Sequence, residues 1–253
     1  MALLKIIIVE HRCPLAEKYP NVNPYVYTLD NPITFIDPDG REVYYSANGV
    51  YLGRVGKSNE IRVFLGGNHT DNLKLIKSAN NPKSSSSSKN ILFKSTAHAY
   101  KTTEEAAENW AIFENDKAKK NDKESGAAIY KIKLSNKEKN TNSDGTIAIL
   151  SSTVEGGKDF IDPDKILNIK MPGKLSGFVH SHANGDDNFS GFEADKGVSK
   201  DYNIPIFLVN KKFQFKVFDY NLDNPAGDGR IINYRLPIYR YNKNIQEIKS
   251  NKN

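Results

Sequence analysis

Two histidines separated by one residue carry the densest chemical signal in the chain. His180 and His182 lie in the segment Val179–Asp195, which reads VHSHANGDDNFSGFEAD. On an extended strand, residues two apart point to the same side, so both imidazoles are expected on one face. Two neutral imidazoles supply half of a tetrahedral zinc site, which a catalytic centre completes with a third protein ligand and an open position. The pattern predicts a metal site, although surface histidines can share this spacing.

Glu193 is the candidate third ligand. It follows His182 by eleven residues and lies just inside a predicted helix, Ser190–Tyr202. The loop between them is polar and contains a glycine, so the chain can fold back over the two histidines. A second interpretation needs no metal. Ser190 and Glu193 also form the S-x-x-E pattern of a capping box, in which each side chain bonds the backbone N–H of the other.

Glu124 precedes an apolar segment, Gly126–Leu134, which predicts a strand. A hydrolytic zinc site needs a general base beside the water molecule that attacks the substrate. A carboxylate at the end of an apolar strand suits that role. The alternative is that Glu124 is simply one acid in the charged stretch 117–124.

In order and spacing, these residues resemble the JAMM (MPN/JAB-like) zinc metallopeptidases. In that family a Glu begins a strand, an H-x-H pair follows well downstream, and a loop then leads to S-x-x-D. Here Glu124 lies 56 residues before His180. Two positions differ from the family pattern, because Ala183 stands where Pro is usual and Glu193 stands where Asp is usual. Asp195 is a second candidate carboxylate, at a spacing outside the pattern.

The resemblance implies both a function and a site. It implies a peptidase or isopeptidase that acts on a protein substrate, with Zn²⁺ held by His180, His182 and Glu193. Glu124 would be the general base, and the hydroxyl of Ser190 would donate to the tetrahedral oxyanion. The implied fold is a JAMM/MPN-like mixed sheet flanked by helices.

The stretch Pro14–Glu42 resembles a second family, the end of an RHS repeat-associated core of Bacteroidetes-type polymorphic toxins. The phrase NPITFIDPDG carries this resemblance. It implies a toxin domain delivered into a target cell as the cargo of a larger protein, with a cognate immunity protein as a partner. Two alternatives stay open. One is an RHS-associated nuclease, with His180 or His182 as base and Asp186 or Asp187 on a divalent metal. The other is a non-catalytic binding module.

Composition bears on the partners. The 253 residues carry a formal net charge of +6 and the pI is about 9.1, so nucleic acid must be considered. The positive charge comes from 29 Lys and only 7 Arg, and Arg is the side chain that binds phosphate and guanine bidentately. Nucleic acid is therefore not the expected partner. Cys13 is the only cysteine, so a metal site must use histidines and carboxylates.

No apolar run approaches the roughly 20 residues that span a bilayer. The opening segment Met1–Val9 is apolar but lacks the cleavage site of a secretory signal. We therefore expect no membrane contact and no signal peptide in this chain. His11, His69 and His98 are expected on the surface or in turns.

Alternating helical and strand patterns after residue 90 predict an α/β, or α+β, fold with a mixed sheet flanked by helices. The run NNPKSSSSSKN, Asn80–Asn90, predicts a flexible linker. The expected division is 1–42 for an RHS-core remnant, 43–79 for a small β-hairpin module or linker, 80–90 for the Ser-rich linker, 91–241 for the JAB-like domain and 242–253 for a flexible tail.

Overall fold

A computed structural model describes residues 42–234 and 236 of the chain, apart from 56–59, 82, 84–85, 136–140, 183–186 and 192–193. The described residues form eleven strands and five helices. The strands are β1 (Glu42–Tyr45), β2 (Tyr51–Val55), β3 (Glu60–Phe64), β4 (Thr96–Tyr100), β5 (Ser125–Lys133), β6 (Thr146–Leu150), β7 (Val154–Glu155), β8 (Lys174–His182), β9 (Ile206–Asn210), β10 (Phe215–Phe218) and β11 (Arg230–Asn233). The helices are α1 (His69–Asn80), α2 (Ser86–Lys94), α3 (Thr103–Asn121), α4 (Pro163–Leu167) and α5 (Asp195–Tyr202). None of these described helices is long and apolar enough to cross a membrane.

All eleven described strands belong to one mixed sheet. Its order is β11-β10-β9-β8-β5-β6-β4-β3-β1-β2, and β7 pairs with β5 outside this path. The pairs β1–β3 and β8–β9 are parallel, and the other described pairs are antiparallel. The predicted α+β class, a mixed sheet with flanking helices, is confirmed.

Helix α3 covers one face of the central strands. Thr102 caps it by accepting a hydrogen bond from the backbone N–H of Glu105, and acids in the first turn and lysines in the last complement the helix dipole. Small side chains such as Ala107 and Ala111 let the helix lie close to the sheet, where Trp110 packs in the same cluster as Val179. This face is therefore closed by apolar contacts.

The opposite face of the sheet carries the second half of the core. Phe178 of β8 and Phe218 of β10 pack there with Ile166 of α4 and with Phe189, which precedes α5. Side chains alternate along a strand, so Val179 faces α3 whereas His180, like Phe178, faces this second side. The histidine pair thus lies on the side of the sheet that α4 and α5 cover.

The N-terminal strands and helices extend the same sheet. Tyr44, Phe64, Ile76 and Leu92 form a third apolar cluster, and β3 pairs with β4. The prediction of a flexible linker over 80–90 is wrong from Ser86 onward, because Ser86–Lys94 is helical. The burial of Leu92 explains this difference, since packing of an apolar face can override weak local helix propensity.

The predicted domain division stays a prediction. Residues 1–41 and 242–253, assigned to the RHS-core remnant and the tail, lie outside the described residues.

Candidate metal centre

Strand pairing brings Glu124 beside the histidine pair. β5 and β8 are antiparallel, with Ser125 opposite Ser181 and Gly126 opposite His180. The first residues of β5 therefore meet the last residues of β8, although 56 positions separate Glu124 from His180 in the chain. Gly126 is required by this packing, because a Cβ there would lie 2.9 Å from the Ile166 Cδ1 and from the backbone oxygen of Val179.

His180 and His182 direct their Nε2 atoms at each other, 3.1 Å apart. Both residues are buried, with 1% and 7% of their surface exposed. The His180 ring stacks on Phe178, with 5.1 Å between ring centroids and 4° between planes. Two imidazole nitrogens at this distance must share either a proton or a cation, because two N–H groups facing each other would repel.

Asp195 is the first residue of α5 and completes the cluster. Its Oδ1 lies 3.2 Å from the His180 Nε2, and its Oδ2 lies 3.7 Å from the His182 Nε2. Burial alone would raise the pKa of Asp195. The charge of His180, together with hydrogen bonds from His180, His182 and Ser190, outweighs burial and holds that pKa well below its usual range. The buried carboxylate is therefore ionised and faces both imidazoles.

These three side chains can hold a metal ion. One ligand atom from each of His180, His182 and Asp195 lies within 4.8 Å of the others. In a tetrahedral zinc site with bonds of about 2.0–2.1 Å, neighbouring ligand atoms lie about 3.3 Å apart. The separations of 3.1 Å between the two Nε2 atoms and 3.2 Å from His180 Nε2 to Asp195 Oδ1 match that spacing. Two imidazoles and one carboxylate are also a donor set that zinc accepts.

The carboxylate of this cluster comes from Asp195, which the sequence offered only as the second candidate. Glu193 lies outside the described residues, so its assignment as a ligand stays a prediction. Asp195 follows His182 by thirteen residues rather than eleven, and α5 begins five residues after Ser190. If the spacing between His182 and the third ligand is allowed to vary by two residues, the sequence favours Asp195 and Glu193 equally.

Ser190 contacts Asp195. Its backbone N–H and its hydroxyl both donate to Asp195 Oδ2, at 2.9 and 2.5 Å. The Oγ of Ser190 also accepts a hydrogen bond from the Asp195 N–H at 3.4 Å, so the described side-chain and backbone bonds join Ser190 to Asp195. The capping box of Ser190 with Glu193 stays a prediction, because Glu193 lies outside the described residues. A hydroxyl has one proton, so donation by Ser190 to an oxyanion would require this hydrogen bond to break. The oxyanion role of Ser190 stays a prediction.

Glu124 is held beside the cluster by its backbone. The backbone N–H of Glu124 donates to the carbonyl oxygen of Gly157. The backbone carbonyl oxygen of Glu124 accepts from the N–H of Gly156, and both distances are 2.8 Å. Gly156 has no room for a side chain, because a Cβ there would lie 2.5 Å from the Phe160 oxygen. The Glu124 Oε1 lies 4.0 Å from His182 Nε2. Glu124 thus lies next to the three candidate metal ligands, as the general-base assignment requires.

Burial raises the pKa of the Glu124 carboxyl above its ordinary value, and the nearby His182 and His180 only partly oppose that effect. A carboxyl whose pKa lies closer to neutrality is a better proton acceptor and donor at physiological pH. The environment of Glu124 therefore suits proton transfer.

Two other described residues, Asp187 and His98, do not join the cluster. The Asp187 carboxylate, proposed as a nuclease metal ligand, instead pairs with the ammonium group of Lys212, and Asp186 lies outside the described residues. His98 is half-buried inside β4, so its assignment to the surface or to a turn is wrong. Its ring packs edge-on against Tyr100, with centroids 4.8 Å apart.

No protein-family model, curated protein or solved structure matches this chain significantly.

Proposed function

We propose that this protein is a zinc-dependent hydrolase that cleaves peptide or isopeptide bonds. His180, His182 and Asp195 hold the zinc ion, and Glu124 is the general base. One observation carries the proposal: the Glu124 Oε1 lies 4.0 Å from the Nε2 of His182, one of three buried side chains whose ligand atoms converge. Three protein ligands and one adjacent carboxylate are the parts that zinc-assisted hydrolysis needs.

A bound zinc ion supplies a Lewis acid that makes water nucleophilic near neutral pH. The protein's own residues do the rest. The Glu124 carboxylate takes a proton from the attacking water as the new C–O bond forms at the amide carbonyl. It then returns that proton to the nitrogen as the C–N bond breaks, so the products are a carboxylic acid and an amine. Ser190 keeps Asp195 Oδ2 hydrogen-bonded and leaves Oδ1 directed at the His180 Nε2.

The biological setting follows from the sequence resemblances. We propose that the enzyme is a toxin domain that is delivered as cargo and acts on a protein in the target cell. A cognate immunity protein would protect the producing cell. The support is the likeness of Pro14–Glu42 to the end of an RHS-associated core.

Replacement of the general base tests the proposal most directly. Glu124→Gln should keep zinc at one ion per chain and lose turnover by at least about 100-fold, since a general base contributes typically 10²–10⁴. Zinc is measured by elemental analysis and turnover on a panel of folded proteins and peptides. Glu114→Gln is the control, because burial also raises the pKa of Glu114, which lies on α3. Zinc at full stoichiometry in a His180→Ala/His182→Ala double variant would refute the site.

The same preparation separates the alternatives. A hydrolase of amide bonds cleaves members of the protein panel and stops when a chelator removes the metal. A nuclease would cleave plasmid DNA or RNA instead. A non-catalytic module would leave every substrate intact, and the proposal would then be wrong.

A further inference from the structure

Lys216 is a buried lysine on the metal-binding face of the sheet. It lies on β10 opposite Leu208, and Leu208 lies opposite His180. Side chains of directly paired residues point to the same side, so Lys216 shares a face with His180. Two strand spacings, about 9.6 Å, separate their backbones. Only 6% of Lys216 is exposed.

The ammonium group of Lys216 holds the loop that precedes α5. Its Nζ donates to Asn188 Oδ1 at 2.9 Å and to the backbone carbonyl oxygen of Asp187 at 3.3 Å. Asn210, at the end of β9, donates to the same Asp187 oxygen at 3.4 Å. Burial of an ammonium group is costly unless it is hydrogen-bonded, so these bonds both satisfy Lys216 and fasten the loop to the sheet.

The fastened loop leads directly to the metal carboxylate. Phe189, next to Asn188, is buried with its ring 6.4 Å from that of His180 and 6.0 Å from that of Phe218. The next residue, Ser190, binds Asp195 Oδ2 through its N–H and its hydroxyl. With Oδ2 occupied in this way, Oδ1 is the oxygen that faces His180 Nε2, at 3.2 Å.

We propose that Lys216 is a positioning residue for the metal centre. By holding Asp187 and Asn188 it fixes Ser190, and through Ser190 it sets which oxygen of Asp195 faces the His180 Nε2. Lys216 acts on the affinity and geometry of the bound ion, whatever reaction that ion supports. The inference therefore goes beyond the proposed hydrolase activity and does not depend on the substrate.

The test measures metal binding in the full chain with three variants. Lys216→Met removes the ammonium group and keeps the apolar stem. Asn188→Ala removes the side-chain oxygen that accepts from Lys216 Nζ and keeps the positive charge of Lys216. Lys212→Met is the matched control, because Lys212 pairs with Asp187 on the same loop from an exposed position. Zinc affinity is measured by competition with a chromophoric chelator, and ligand geometry by the visible absorption of the Co²⁺-substituted protein.

Lys216→Met and Asn188→Ala should each weaken zinc binding by about 10–100-fold, the range seen when a supporting residue of a metal ligand is lost. Both should change the Co²⁺ spectrum, whereas Lys212→Met should leave that spectrum unchanged and should not weaken zinc binding. Loss of a positive charge would by itself strengthen the binding of a cation. Weaker binding in Lys216→Met therefore reports the lost position and not the lost charge.

Unchanged zinc affinity and Co²⁺ spectrum in Asn188→Ala would overturn the inference, as would equal losses in Lys212→Met. If Lys216→Met does not fold, by circular dichroism of the metal-free protein, then Asn188→Ala decides. A wild-type protein that binds zinc but cleaves nothing would refute the proposed function alone. A wild-type protein that binds no metal would refute both.

Discussion

Arg62 and the His180–His182 pair are both buried polar groups of one sheet, but their hydrogen-bonding atoms are used differently. Arg62, on β3, donates from Nε to Thr96 Oγ1 at 2.8 Å and from Nη2 to the oxygens of Phe93 and Thr96, each at 3.2 Å. Its Nη1 lies 3.5 Å from Glu42 Oε1, and Tyr44 donates to the same carboxylate. Each charge of this cluster faces an opposite charge or a hydrogen-bond partner.

The candidate metal centre is not fully saturated. The Nε2 of His180 lies 3.1 Å from the His182 Nε2 and 3.2 Å from Asp195 Oδ1, and the His182 Nε2 lies 3.7 Å from Asp195 Oδ2. Within the described part of the chain, the buried Nδ1 of His180 has no hydrogen-bond partner. A saturated buried cluster is complete without an added group, whereas ligand atoms that converge at this spacing can hold a cation between them. The difference predicts that the first cluster governs stability and the second governs metal binding.

The largest effect is expected at the saturated cluster. Arg62→Met should lower the free energy of unfolding by about 3–5 kcal/mol, because it leaves the Glu42 carboxylate buried without its counter-charge. Urea denaturation of the metal-free protein measures this loss. Lys74→Met, which breaks the exposed pair with Asp71, should cost at most about 1 kcal/mol. Zinc affinity should be unchanged in both, and a loss of zinc in Arg62→Met would contradict the division between the clusters.

The second-largest effect, a loss of zinc affinity, is expected when a proposed metal ligand is replaced. His182→Ala should weaken zinc binding by more than about 100-fold, beyond the range for loss of a supporting residue. His98→Ala, which removes another histidine of the sheet, should retain full zinc affinity. Isothermal titration of zinc into metal-free protein measures both, and equal affinities for His182→Ala and the wild type would show that the cluster is not a metal site.

Ser190→Ala separates two roles for one hydroxyl. If the hydroxyl holds Asp195, the variant should bind zinc about 10–100-fold more weakly. If it donates to an oxyanion, zinc affinity should stay constant while turnover falls by about 10²–10³. The hydrogen bonds to Asp195 Oδ2 favour the first outcome. Measurement of zinc affinity and turnover on the same preparation decides between them.

The smallest effect is a pH dependence that involves His98, whose partner strand carries Arg62. Burial, with a smaller contribution from Arg62, lowers the pKa of His98 from 6.5 to about 4. Above pH 6.5 the residue is neutral in both the folded and the unfolded chain. As the pH falls from 6.5 to 4, the unfolded chain takes up this proton first, so stability is lost over that interval. In the presence of a chelator, the free energy of unfolding of His98→Gln should fall less between pH 7 and pH 4.5 than that of the wild type. The midpoints of urea denaturation at the two pH values measure this difference.

The histidine geometry followed from the sequence because it depends only on the two-residue repeat of a strand. The place of Glu124 at the mouth of β5 could also be predicted, because a single apolar run marks that strand. The choice between Glu193 and Asp195 as the third ligand could not be predicted from the sequence. It depends on where α5 begins, and Lys216 and Asn210 fix the loop before that helix from strands twenty or more residues farther along the chain.

Helix α2 was missed for a similar reason. Its first three residues are serines, which locally favour turns over helix interiors, and only the burial of Leu92 against the third cluster explains its formation. His98 was misassigned because the short alternating segment TAHAY gives a weak strand signal by itself. It becomes a strand through pairing with β3 on one side and β6 on the other.

The pairing of Ser125 with Ser181 also orders the events of folding. A slip of one residue between β5 and β8 would turn both imidazoles toward α3, because successive side chains lie on opposite faces. The correct register must therefore exist before three ligands can surround an ion. Under the proposal that the cluster holds zinc, uptake of the ion by a refolding chain can be no faster than this alignment. The uptake rate is then a lower limit on the rate at which β5 and β8 align.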